Sequence, residues 1–160
     1  MNLQGLTEHL YNELKPYDFK RADEALSSLN LSSQTAVRAI WKRKTWNTNR
    51  GVALLETGPD IDSLEAFVGR VREPIGKAIG YVPFFYPLGL QLILAGRGIL
   101  SEQSALSRLL SKIDNQTVVL QSIHVIDLND MAYVSERTWG QVVTGRYQDA
   151  IEKGIKSFLY

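Results

Sequence analysis

Residues Tyr81 to Gly98 read YVPFFYPLGLQLILAGRG, the most apolar stretch of the chain. From Leu88 to Ala95 it carries no charge and one polar side chain, Gln91. A short apolar run bracketed by proline and glycine predicts a strand buried on both faces. With a period of two, Leu88, Leu90, Leu92 and Leu94 point one way, and Gly89, Gln91, Ile93 and Ala95 the other. Periodicity alone also allows a buried helix segment, but the short length and the flanking breakers favour the strand. A membrane span needs about 20 apolar residues. Pro83, Pro87, Gly89 and Gln91 interrupt a run already too short for that. Each proline removes a backbone donor, so residues 81–87 are expected to form a sheet edge or an ordered loop. Phe84, Phe85 and Tyr86 then line core or a pocket, and core is the commoner place for aromatics.

Upstream, Gln34 to Trp46 is rich in β-branched and aromatic residues and alternates imperfectly. Val37, Ala39 and Trp41 are expected on one face, with Arg38, Ile40, Lys42 and Lys44 on the other. Asn47 to Gly51 has turn composition, and Val52 to Leu55 returns as an apolar strand, which predicts an antiparallel hairpin. Before it, Leu3, Leu6, Leu10 and Leu14 share one helical face. Pro16 should end that helix, and Asp18 should cap a second one carrying Phe19, Ala22, Leu26 and Leu29. Between hairpin and central strand, Asp62-x-x-Glu65 resembles a capping box. The helix after it buries Leu64, Phe67, Val68, Val71, Ile75 and Ala78, with a kink or break expected at Pro74 and an end at Gly80.

Downstream, Ser101 can cap a helix burying Ala105, Leu106, Leu109, Leu110 and Ile113. Thr117 to Leu128 reads as a strong strand, Asn129-Asp130 as a turn, and Met131 to Trp139 as the antiparallel return. A last helix buries Tyr147, Ala150, Ile151, Ile155, Phe158 and Leu159. The predicted order is αα-ββ-α-β-α-ββ-α. It defines an α/β or α+β fold with a mixed sheet of about five strands and flanking helices. Residues 1–160 are expected as a single domain, with 1–30 a helical segment packed on the sheet or on a partner.

Composition bounds the chemistry. The formal net charge of +1 gives no global pull toward nucleic acid or acidic lipid. The absence of cysteine excludes disulfides, thiolate catalysis and cysteine-held zinc or iron–sulfur centres. MNLQGLTEHLYNELK has neither the basic nor the apolar region of a secretory signal, so a cytoplasmic protein without membrane association is expected. No nucleophile elbow, Walker motif or His-Glu-x-x-His is present.

Four groups of residues are candidate sites. The first is the basic hairpin, with Arg38, Lys42, Arg43, Lys44, Trp46 and Arg50, in a stretch with no acid between Glu24 and Glu56. Cations attract phosphates and indoles stack on bases. The same residues are also what an edge strand guarded against aggregation carries. The second is the turn Gly96-Arg97-Gly98-Ile99-Leu100-Ser101, which leaves a strand and opens a helix. Gly96, Arg97, Gly98 and Ser101 could hold a phosphate at the helix N-terminus, but a plain glycine turn accounts for them equally. The third is His124 with Asp127 and Asp130. Extended spacing puts His124 and Asp127 on opposite faces, and a hydrogen-bonded, partly buried histidine sharing a face with Val118, Leu120 and Ile126 is the simpler reading. The fourth is the acidic group Glu56, Asp60 and Asp62, which lacks the acid-x-Lys strand pattern of a magnesium nuclease.

The leading expectation is a non-catalytic binding or regulatory module for a macromolecular partner or a small ligand, with no cofactor and no metal. Nucleic-acid binding through hairpin residues 38–50 is the alternative. A nucleotide-dependent enzyme built on Gly96 to Ser101 is the third. Homo-oligomers would form through an edge strand or the N-terminal helices. Under the nucleic-acid reading, Trp46→Ala weakens single-stranded oligonucleotide binding by about 1–3 kcal/mol. Wild-type affinity then falls steeply with salt. Equal, weak binding by the wild type and a Lys42→Glu/Lys44→Glu variant at every salt concentration would count against it.

Overall fold

The computed structural model describes residues 2–26, 29, 35–44, 49–58, 63–80, 88–99, 103–111, 118–137 and 146–160. The apolar run around which the prediction was built is a strand, β4 (Leu88–Gly96). Its even-numbered leucines face one apolar layer, and Ile93 and Ala95 face the other. Leu90 and Leu92 are fully buried. On either side lie β3 (Asn49–Thr57) and β5 (Val118–Asp127), both parallel to β4. Outside them, β2 (Thr35–Lys44) and β6 (Ala132–Arg137) pair antiparallel, and a two-residue β1 (Lys20–Arg21) closes one edge. The six-stranded mixed sheet therefore follows chain order, β1-β2-β3-β4-β5-β6. Beside the expected five strands, β1 is the addition.

Helices cover both faces, making this an α/β fold. Two of them, α1 (Leu3–Leu14) and the last helix, pack side by side on the face that holds Trp41, Val52, Leu54, Ile93 and Ile126. On the other face lie α2 (Asp23–Leu26), α3 (Leu64–Ile79) and α4 (Gln103–Ser111), over Ile40, Leu55, the β4 leucines and Val125. The last helix is α5 (Tyr147–Leu159).

Local departures from expectation have physical causes. Asp18 does not cap a second long helix. It takes a left-handed conformation (φ 67°) after the 3-10 turn Lys15–Tyr17. Phe19 and Ala22 are then buried in opposite layers, as extended chain requires, so residues 20–21 pair with β2 and only α2 remains of the predicted helix. The cap of α3 is Ser63, whose hydroxyl accepts from the Ala66 N–H at 3.1 Å, one position after the expected Asp62. Residue 62 lies outside the described residues. Pro74 does not divide α3; it sits on the exposed side, where water can satisfy the carbonyl that loses its donor. Gly80 (φ 103°) ends the helix as a left-handed cap. Residues 81–87, with the aromatic trio Phe84, Phe85 and Tyr86, lie outside the described residues.

Two ladders carry irregularities that period-two counting misses, the β2–β3 hairpin and the parallel β4–β5 pair. In β2 the register shifts between Val37 and Ala39, leaving Arg38 as the extra residue. Val37 therefore packs with the α3 layer while Ala39 and Trp41 pack under α1, so the three do not share a face. In β5 the register steps from Leu90↔Leu120 to Gln91↔Ser122, with Gln121 as the extra residue. Val118 and Leu120 thus face α3, while Ile126 faces α1.

Leu92→Ala should lower the unfolding free energy by about 2–5 kcal/mol in urea denaturation, as expected for truncation in a packed core. A loss below about 1 kcal/mol would contradict the position assigned to β4.

Candidate functional site

Parallel pairing sets the C-terminal ends of β3, β4 and β5 in one row, Thr57 beside Gly96 beside Asp127. Open α/β sheets bind ligands outside the carboxyl ends of their strands where the strand order reverses; this sheet follows chain order without a reversal, so the case for a site rests on the residues that meet there. A cleft of about 720 Å³ lies at this end, between the strand ends and the N-terminal half of α1. Its walls come from separated parts of the chain. Arg21 belongs to β1 and Arg38 to β2, Glu56 and Thr57 end β3, Gly96 and Arg97 leave β4, and α1 contributes residues from Asn2 to Glu8.

Each wall has a local reason. The bulge at Arg38 turns its side chain out of the strand alternation, a usual effect of an extra residue in an antiparallel ladder. Its guanidinium bonds to the Glu56 carboxylate across the hairpin. Arg21 lies over the buried Trp41 ring at 5.5 Å and pairs with Asp23 at 2.9 Å. Arg97 is exposed and has no ion-pair partner among the described residues. The α1 N-terminus is capped by Asn2, whose side chain accepts from the Gln4 N–H at 3.0 Å, and its first turn has no acid. The positive end of the helix dipole therefore adds to the arginines. Thr57 is buried, and its hydroxyl has no hydrogen-bond partner among the described residues.

The glycine turn has a structural cause. A Cβ on Gly96 would sit 2.6 Å from the Thr57 hydroxyl and 2.7 Å from its carbonyl, so close strand approach requires glycine. The Gly96 carbonyl accepts the Leu128 N–H at 2.7 Å. Gly98 has φ 68°, which glycine adopts without strain. Ser101 lies outside the described residues.

The cleft gathers Arg38, Gly96, Arg97 and Glu56 from three of the candidate groups. The remaining hairpin cations lie elsewhere. Lys42 pairs with Glu24 of α2 at 2.7 Å on the opposite face. Arg50 bonds to Tyr147 of α5, and Arg43 is its register partner. From Arg50 to Glu56 is six residues of strand, roughly 20 Å. The described basic residues thus occupy both faces and both ends of the hairpin. Trp46 lies outside the described residues. Trp41 is fully buried.

A second polar feature had only a faint signal in the sequence. On the α5 side of the sheet, side chains form a buried chain of hydrogen bonds across four strands. Tyr133 of β6 meets His124 Nδ1 at 2.8 Å, and His124 Nε2 meets Ser122 Oγ at 2.9 Å. Ser122 donates to Gln91 Oε1, and Gln91 Nε2 donates to Gln121 Oε1 at 2.8 Å. Tyr147 of α5 donates to the same Gln121 oxygen at 2.9 Å, and Arg50 donates to the Tyr147 hydroxyl at 3.0 Å. With the Ser122 proton spent on Gln91, His124 must donate from Nε2 and accept from Tyr133 at Nδ1, which defines its tautomer. Burial, assisted by the nearby Arg137 charge, lowers the His124 pKa to about 3, so the ring is neutral. Burial likewise raises the Tyr133 pKa and keeps that phenol a donor. The β5 bulge is why His124 faces α5 rather than sharing a face with Val118 and Leu120. The lone Gln91 in the apolar run, and His124 read as a hydrogen-bonded histidine, are the visible hints of this chain.

Of the described carboxylates in the third and fourth groups, Glu56 lines the cleft and the others do not. Asp127 accepts the Asn129 N–H at 2.9 Å inside the β5–β6 turn, and Asp130 is exposed. Glu56 is committed to Arg38, and residues 60 and 62 lie outside the described residues. Among the described residues, no three His, Asp or Glu side chains gather as a metal site, and no helix is long and apolar enough to cross a membrane. No protein-family model, curated protein or solved structure matches the chain.

The neutral, buried His124 makes stability depend on pH. Its folded pKa lies below the unfolded value, so unfolded chains take up a proton that the native state refuses as pH falls from 6.5 toward 3. The stability is complete above about pH 6.5. It should fall by about 2 kcal/mol between pH 7 and pH 5. Urea denaturation across that range checks this, and a His124→Gln variant should lose most of the slope. An unchanged slope in the variant would show that His124 does not titrate in this way.

Proposed function

We propose that this chain is a binding module whose ligand enters the cleft at the C-terminal ends of β3 and β4. The observation that supports this is convergence: three arginines from distant segments, the α1 N-terminus and a buried hydroxyl surround one concavity. The volume of about 720 Å³ falls in the range of small-molecule sites. The walls include no histidine, serine or cysteine among the described residues. His124, the neutral imidazole, is fully buried in the hydrogen-bonded chain under α5. We therefore read the cleft as a site of recognition rather than turnover. A small ligand suits it better than a polymer track, because the other described hairpin cations point away on two faces. The basic run as a continuous nucleic-acid surface draws no support from that arrangement.

Thr7 lines the cleft from α1 and is partly exposed, so Thr7→Trp should fill the site while leaving the fold intact. In a thermal-shift survey of phosphates, carboxylates, sugars and nucleotides, the wild type should show a saturable rise in melting temperature with at least one compound, and Thr7→Trp should abolish it. No stabilising compound, or a rise that survives the substitution, would overturn the assignment.

A further inference from the structure

We infer that the cleft takes a compact polyanion, a small molecule with at least two phosphate or carboxylate groups; this rests on the cleft being a binding site. Its cations are not equally committed. Arg21 is held by Asp23 and by the Trp41 ring. Arg97 has no ion-pair partner among the described residues, so it offers the first anion position. The α1 N-terminus, with no acid in its first turn, adds a positive partial charge at the same wall, while the exposed Glu8 carboxylate about one turn further on opposes it.

The second anion position is occupied by the protein itself. Arg38, turned out by its bulge, is paired with Glu56, and both line the cleft. The two side chains remain 49% and 37% exposed. Exchanging the Glu56 carboxylate for a ligand anion therefore strands no buried charge, in contrast to breaking a desolvated pair. Glu56 is thus an internal stand-in for one end of the ligand, and it lowers affinity by competing for Arg38.

The remaining walls define what the ligand lacks. Among the described lining residues, Leu3 and Leu128 are the only apolar side chains and none is aromatic.

Isothermal titration with pyrophosphate and with citrate tests this, using inorganic phosphate and glucose as controls. At least one polyanion should bind saturably at one site per chain, about tenfold or more tighter than either control. The two polyanion arms distinguish a phosphate ligand from a carboxylate one. Arg97→Gln should weaken binding by about tenfold or more. Glu56→Gln should tighten it, because Arg38 is released. Silence from both polyanions at millimolar concentration, indifference to Arg97→Gln, or weaker binding in Glu56→Gln would overturn the inference. A neutral ligand blocked by Thr7→Trp but insensitive to Arg97→Gln would sink the polyanion and leave the cleft standing as a site. Polyanion binding that survives Thr7→Trp would sink the cleft itself.

Discussion

Parallel pairing of β3, β4 and β5 is the constraint on which the rest of the structure depends. Parallel strands need crossover connections, and α3 and α4 supply them on one face. The opposite face must then be covered by the remaining helices, α1 and α5, because the central strands are apolar on both sides. The same pairing sets three strand ends in a row and leaves their backbone carbonyls and following turns to form one wall of a cleft. Thr57 and Gly96 approach so closely there that only glycine fits. The position of the site thus follows from the topology, and its chemistry from the side chains that line it.

Two single-residue insertions in the ladders decide which side chains those are. At Arg38 the extra residue frees a guanidinium from the alternation and presents it, with Glu56, at the cleft. At Gln121 the extra residue turns Ser122 and His124 toward α5, where they complete a hydrogen-bonded chain from Arg50 to Tyr133. Burying so many polar groups is tolerable only because their partners are supplied. Arg137 adds a further tie between β6 and α5: burial opposes its charge, but Asp149 and Glu152 outweigh that and raise its pKa. Together these contacts fix how α5 sits on the sheet. The unpartnered Trp41 Nε1 is a different matter, and nothing among the described residues explains it.

Much of the fold is legible in residue patterns. The apolar run with its proline and glycine brackets marks β4, and the leucines at helical spacing mark α1. Helix α5 and the second hairpin are equally plain. The ends of elements are less so. Asp18 has the side chain of a helix cap but the backbone of a left-handed turn, and Ser63 takes a role that Asp62 could equally fill in sequence. Bulges leave almost no trace, because one additional residue in a strand changes no composition; it only inverts the alternation beyond it. That is why Val37 was placed with Trp41, and His124 with Val118. Of the site, Arg38, Glu56, Gly96 and Arg97 are visible as separate oddities. Their meeting, and the part played by Arg21, Thr57 and α1, depend on strand order, which residue patterns do not encode.

The central claim is that ligand recognition is concentrated at the carboxyl ends of the parallel strands. Backbone amide NMR during titration with pyrophosphate tests it most directly. The account predicts shift changes confined to Arg38, Glu56, Thr57, Gly96, Arg97 and the first turn of α1, saturating together. Changes centred instead on Arg43, Arg50 and the start of α5, at the other end of the strands, would contradict it.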